Sequence, residues 1–280
     1  MMHLETLGNT SAPTPTPGSA RRPATGARSL APREHGAYGQ LGLPLLTALA
    51  MGKPSAPATL LTIASIAAFF AHEPLLLLIG QRGSRALREE GPRARRRLAL
   101  LGALALGTAA TSLALAPSSA RLALLLPLGL AALLTPFILK NQEKTAAGEL
   151  LAAATLSSAA IPVAFAAEVA SPAIWSAWLA WCLALSSSTL AVRSVIAHAR
   201  APLALARRLA LPLLVLAASL LAYRAGLLLP SAAIGALPML LLAVVLAAQP
   251  PSPRSLKKVG WGLVASSVLL AIALVVGVQR

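Results

Sequence analysis

The sequence predicts an all-α fold, a polytopic transmembrane bundle of about nine helices, and three observations carry that expectation. Of 280 residues, 57% are hydrophobic and only 11% are charged, against about 25% charge in ordinary soluble domains. Beyond residue 33 the apolar residues fall into runs separated by Pro, Gly or charge, and the runs approach the roughly 20 residues a helix needs to cross about 30 Å of hydrocarbon. All eight acidic residues are Glu, so any mechanism that needs Asp is excluded. A single soluble core and a two-domain soluble enzyme are excluded as well. The one cysteine, Cys182, lies in an apolar run, which leaves no intrachain disulfide framework and no cysteine cluster for zinc.

Residues 1–33 are rich in Ser, Thr, Pro and Gly and carry Arg21, Arg22, Arg28 and Arg33. Such a composition does not bury a core and reads as a disordered cytoplasmic tail ahead of a transmembrane domain over 34–280. It lacks the amphipathic face of an organellar transit peptide, and no apolar run precedes residue 36 to act as a secretory signal. The apolar runs then follow in order at 36–52, 58–80, 98–116, 122–139, 148–167, 173–195, 209–223, 228–247 and 259–278. The first is the weakest, being short and containing Gln40 and Pro44, so eight spans with an interfacial first segment is the alternative.

Lys and Arg near span ends stay on the cytoplasmic side. Nine alternating spans put twenty of the 24 basic residues on one side. They lie in the tail, in the seven-arginine stretch 81–97, around Lys140 and Lys144, between Arg193 and Arg208, and at Arg254, Lys257 and Lys258. The other side receives Lys53, Arg121, Arg224 and Arg280. This predicts a multi-pass cell-membrane protein with its N-terminus in the cytoplasm and its C-terminus outside. The net charge of +16 then faces anionic lipid; no aromatics interleave with the basic run to suggest nucleic acid. Trp175, Trp178 and Trp261 suit the aromatic belts.

Ionisable groups in hydrocarbon are costly and mark candidate sites. Glu34 and His35 open the first span beside Gly36 and Gly39, which permit close approach of a ligand. His72 and Glu73 lie within the second span, about 10 Å from its inner end at ~1.5 Å per residue, with Pro74 removing a backbone donor. Lys140, Glu143 and Lys144 form a polar turn before Gly148 and Glu149, and Glu149 needs a partner that Lys140 or Lys144 is near enough in sequence to supply. Cys182, Ser186, Thr189 and Arg193 recur at helical spacing and share one face; His198 follows. All these candidates fall in the cytoplasmic half, which points to a polar pocket open to the cytoplasm. Glu73 and Glu149 are the candidate catalytic groups, while Glu34, His35, His72, Lys140, Glu143, Arg193 and His198 are candidate ligand-binding residues. No metal and no cofactor is implied.

The opening PREHGAYGQLGLPLL, followed by HEP in the second span, resembles the YwiC-like family of bacterial membrane proteins, a resemblance that implies membrane location but no reaction. FILKNQEKTAAGELL and the nine spans are also similar to UbiA-type prenyltransferases, with Lys140, Gly148 and Glu149 at matching positions. That second likeness implies a UbiA-like bundle and a lipid or isoprenoid ligand. It stops short of the chemistry, because the family's Asp-rich magnesium motifs are replaced here by LIGQRGSRALREEGPRARRR and LAVRSVIAHARAPLALARR. Arg offers no oxygen to magnesium. The expected function is therefore binding of an apolar or amphiphilic ligand at the cytoplasmic side. A membrane-embedded transferase and a small-solute or proton-coupled transporter are the alternatives.

Overall fold

The computed structural model describes residues 30, 35–200, 204–252 and 255–279. The helices are α1 (His35–Met51), α2 (Ala56–Leu78), α3 (Ser84–Leu115), α4 (Ser118–Ala123), α5 (Leu125–Leu139), α6 (Ala146–Ser158), α7 (Ala160–Ala166), α8 (Ser171–Arg200), α9 (Leu205–Arg224), α10 (Pro230–Ala248) and α11 (Leu256–Val278). A single residue separates α4 from α5 and α6 from α7, so each pair runs as one span-length segment. Nine such lengths result among the described residues, and eight of them are long and apolar enough to cross a membrane. The fold is an all-helical, multi-pass one. The ninth, α1, has 17 residues, or about 25 Å of helix, yet its two ends lie at opposite ends of the bundle. Tyr38 packs on Phe69 and Phe70 late in α2, whereas Lys53, just past α1, bonds to the turn after α7.

Successive lengths alternate in direction, which gathers the connections at two ends. Most of the basic residues lie in the α2–α3, α5–α6, α8–α9 and α10–α11 connections or in the helix ends that flank them, which define a basic end. The α1–α2, α3–α4, α7–α8 and α9–α10 connections define the opposite end. Small residues let the helices approach closely in between. Ala58, Ala153, Ala180, Ala184, Ala232 and Ala236 are fully buried around Leu45, Ile161, Trp181 and Met239. In α1 the buried residues Leu41, Leu45 and Ala48 fall on one face. By contrast α5 has no buried residue, and Leu106, Leu128, Leu133, Leu214 and Leu221 are each more than 60% exposed. A continuous apolar exterior of this kind belongs against lipid.

The opposite end is closed by neutral hydrogen bonds to main-chain groups. The Lys53 N–H donates to the Ala167 carbonyl at 2.8 Å. Ser55 donates to the Ala166 carbonyl at 2.8 Å while accepting from the Ala58 N–H as the N-cap of α2. Ser112 late in α3 reaches the Pro57 carbonyl at 2.8 Å. Ser176 accepts from the Leu229 N–H, fastening the α9–α10 connection to α8. Gly52 is required here, because a Cβ would overlap the carbonyl and side chain of Ala167.

One expectation needs correction. The arginine-rich stretch 81–97 reads as a loop, but it is helical from Ser84 onward as the first half of α3. Arg85 pairs with Glu89 at 2.7 Å and Arg93 with Glu90 at 3.5 Å, spacings that support a helix. Ala86 and Ala94 are buried with Leu77 and with Leu30, the one described residue of the tail stretch 1–33. At 32 residues α3 is about 48 Å long, roughly 20 Å more than is needed to cross a 30 Å hydrocarbon layer.

Candidate functional site

At the basic end of α2, Glu73 is only 5% exposed, and both of its carboxylate oxygens are held by one guanidinium. Arg82 donates from Nε to Oε1 at 2.8 Å and from Nη2 to Oε2 at 2.6 Å. A bidentate fork of this kind is the strong form of an ion pair. The turn that brings Arg82 back requires Gly80 and Gly83, at φ 84° and 87°, conformations open to glycine without penalty. Gln81 in the same turn donates to the Leu139 carbonyl at 3.3 Å, so α5 is tied to this corner.

The beginning of α1 comes to the same corner. Tyr38 meets Phe69 edge-on at 5.3 Å between ring centres. Because the two helices run antiparallel, one helical turn further toward the basic end brings the start of α1 level with His72 and Glu73. The described part of the opening motif, HGAYG, and HEP therefore converge in depth. His72 is exposed. His35 is the first residue of α1, and Glu34 lies outside the described residues.

The second group of candidates is organised by the α5–α6 turn. Asn141 adopts φ 53°, Gln142 N–H returns to the Phe137 carbonyl at 2.7 Å, and Thr145 caps α6 by accepting from the Gly148 N–H at 3.1 Å. Gly148 must be glycine, since a Cβ would meet the carbonyls of Gln142 and Glu143. Glu149 then stands in the first turn of α6, where a negative charge is favoured. Its partner is Arg193, at 2.9 Å, in place of the expected Lys140 or Lys144. Lys144 contributes its carbonyl instead, accepting from the same Arg193 nitrogen at 3.0 Å. Arg193 is remote in sequence but faces α6 across the helix pair.

The polar face of α8 thus has a clear use. Cys182 meets Ser157 of α6 at 3.7 Å and Arg193 meets Glu149, so both ends of the stripe that includes Ser186 and Thr189 lie along the α6–α8 seam. Ser187 beside it is fully buried with no hydrogen-bond partner for its hydroxyl.

Among the six Glu residues described, five have a Lys or Arg within ion-pairing distance: Glu73, Glu89, Glu90, Glu149 and Glu168. The sixth, Glu143, holds its Oε2 buried with no hydrogen-bond partner. It sits in the turn that Arg193 pins. Lys140 is exposed at the end of α5, and His198 is half-buried near the end of α8. Sequence reasoning missed Arg82 as the partner of Glu73 and Arg193 as the partner of Glu149. The paired glycines around Arg82 were the available signal for the first; nothing local signals the second.

No curated protein and no solved structure matches the chain. Residues 31–164, a little under half of the chain, match a family described as YwiC-like protein. That stretch holds the HGAYG and HEP motifs, the Glu73–Arg82 pair and the turn around Glu143, and over it the chain of this membrane protein is similar to the YwiC-like family; Arg193, which fixes that turn, lies beyond it.

Proposed function

We propose that the protein is a membrane-embedded binding protein for an amphiphilic ligand, whose polar head is received at the basic end of the bundle while its apolar part lies among the helices and lipid. The observation that carries this reading is the buried, partnerless oxygen of Glu143 in a turn held in place by Arg193 and Thr145. A buried carboxylate oxygen without a donor is expensive, and a hydrogen-bond donor or cationic group on a ligand head would satisfy it. Arg193 acts here as the positioning residue that fixes the turn against α8, and Lys140 stands exposed at its rim to meet an anionic part of the same head.

The basic end is the cytoplasmic one on the distribution of Lys and Arg. On this reading the exposed arginines of the α3 extension lie over anionic headgroups. A transferase acting on a lipid or isoprenoid would use the same site, with Glu149 or Glu73 as the acid–base group. The bidentate hold of Arg82 on Glu73 argues for Glu149. A UbiA-like kinship rests on the sequence likeness alone.

The test is to purify the protein in a maltoside detergent and identify co-purifying amphiphiles by mass spectrometry, for the native chain and for Glu143→Leu. The expected result is a species enriched over bulk lipid in the native protein and depleted at least tenfold in the variant. Equal retention by a folded Glu143→Leu variant sinks the reading.

A further inference from the structure

A small cavity lies between α1, α7 and α8, toward the end of the bundle remote from the basic connections. About 20 Å³ of it is open to the centre of a water-sized sphere, and roughly 10–15 Å³ on that measure suffices for one water. The walls include Pro44, Ala48, Ile161 and Ala164, together with Trp178 and Trp181, and no charged side chain lines it. Trp181 is 1% exposed. The indole nitrogens of both tryptophans are buried, and neither finds a hydrogen-bond partner in the chain.

An indole N–H is a donor only, so no change of tautomer relieves it. Two such donors left unsatisfied in an apolar interior are each unfavourable. An acceptor for a guest that also donates is at hand. Thr47, buried on the same wall, gives its proton to the Leu43 carbonyl at 2.7 Å and keeps its lone pairs.

We propose that this cavity is a binding site for one neutral oxygen acceptor, held by the indole N–H groups of Trp181 and Trp178. The absence of any charged wall residue sets the class, because an anion there would lack a counter-charge. Two sources supply the same chemistry: a water, or the ester carbonyl oxygen of a lipid entering between helices. The site is independent of Glu143 and stands whether or not the ligand reading above holds.

Indole-¹⁵N-labelled protein, with the resonances assigned through Trp178→Phe and Trp181→Phe, provides the test. Spectra are compared in lipid-free maltoside micelles, whose detergent has no carbonyl, and in nanodiscs of ester-linked lipid. At least one of the two indole protons is expected downfield, in the hydrogen-bonded range. Cross-relaxation with water in both media identifies water, and a downfield position seen only in ester lipid identifies the carbonyl. Ala164→Val should fill the cavity and return the resonance to the unbonded position; if that variant does not fold, Ala48→Val serves from another wall. Unbonded positions for both indoles in both media, or shifts unaffected by a folded filling variant, would overturn the proposal.

Discussion

The two ends of the bundle are fastened by different physics. At the basic end, side chains do the tying: Arg82 clamps Glu73, and Arg193 joins Glu149 to the Lys144 carbonyl. At the opposite end neutral hydrogen bonds to the main chain do the tying. Lys53 N–H and the Ser55 hydroxyl bond to carbonyls at the end of α7, with Gly52 pressed against Ala167. That end has an ion pair too, Lys53 with Glu168 at 3.0 Å, but its side chains are 80% and 66% exposed. Equal lengths of salt bridge therefore differ in worth, because solvent screens one pair and the protein shields the other.

The difference can be broken or sharpened experimentally. The largest expected effect is all-or-none and asks which end faces the cytoplasm. In a Cys182→Ser background, an impermeant maleimide on intact cells should label Lys53→Cys and leave Arg88→Cys unlabelled. The reverse pattern would invert the proposed orientation. Next comes Arg82→Ala, which strands the buried Glu73 carboxylate. Because Arg82 is itself 38% exposed, the loss should sit near the lower limit for a broken buried pair, about 3 kcal/mol in reversible unfolding. Glu73→Gln should lose less, since the amide still accepts one of the two bonds. At the opposite end, Gly52→Ala should destabilise by about 2 kcal/mol through overpacking against Ala167. A neutral result there would show that the α1–α2 connection yields easily. Arg193→Ala is expected to lower stability by about 1.5 kcal/mol, with proteolysis of the α5–α6 turn as a sensitive second measure. Lys53→Ala should fall within about 0.5 kcal/mol of the native protein. Were Lys53→Ala as harmful as Arg82→Ala, the contrast between the ends would collapse.

Much of the architecture was legible because hydropathy in a membrane chain is read one segment at a time. Each of the nine apolar runs corresponds to one helical length, including the first, whose Leu41, Leu45 and Ala48 face inward despite Pro44. The arginine stretch misled because charge was taken as a sign of loop, while Ala86 and Ala94 supplied a buried face and Glu89 and Glu90 neutralised part of the charge. At the site, the sequence picked out Glu73, Glu149 and Arg193 by the expense of ionisable groups in an apolar setting. Their partners depend on which helices pack together, and that information is not local. The orphan indole of Trp178 was hidden for another reason: a tryptophan at a span end has an interfacial use that satisfies the composition without a cavity behind it.

The bond between Lys53 and Ala167 has a meaning in time as well as in space. The side chains of Lys53 and Glu168 are 115 residues apart in the chain, and at about 5–20 residues per second of synthesis roughly 6–23 seconds separate their emergence. Through that interval α1, short and interrupted by Pro44, has no α6 or α7 to lean on. Its beginning can meet α2 early, through Tyr38, Phe69 and Phe70, but its middle, with Leu45 and Ala48, is made well before the helices that cover it. The α1–α2 connection therefore closes onto the bundle only after α7 has been made, and the Lys53–Ala167 bond marks that moment.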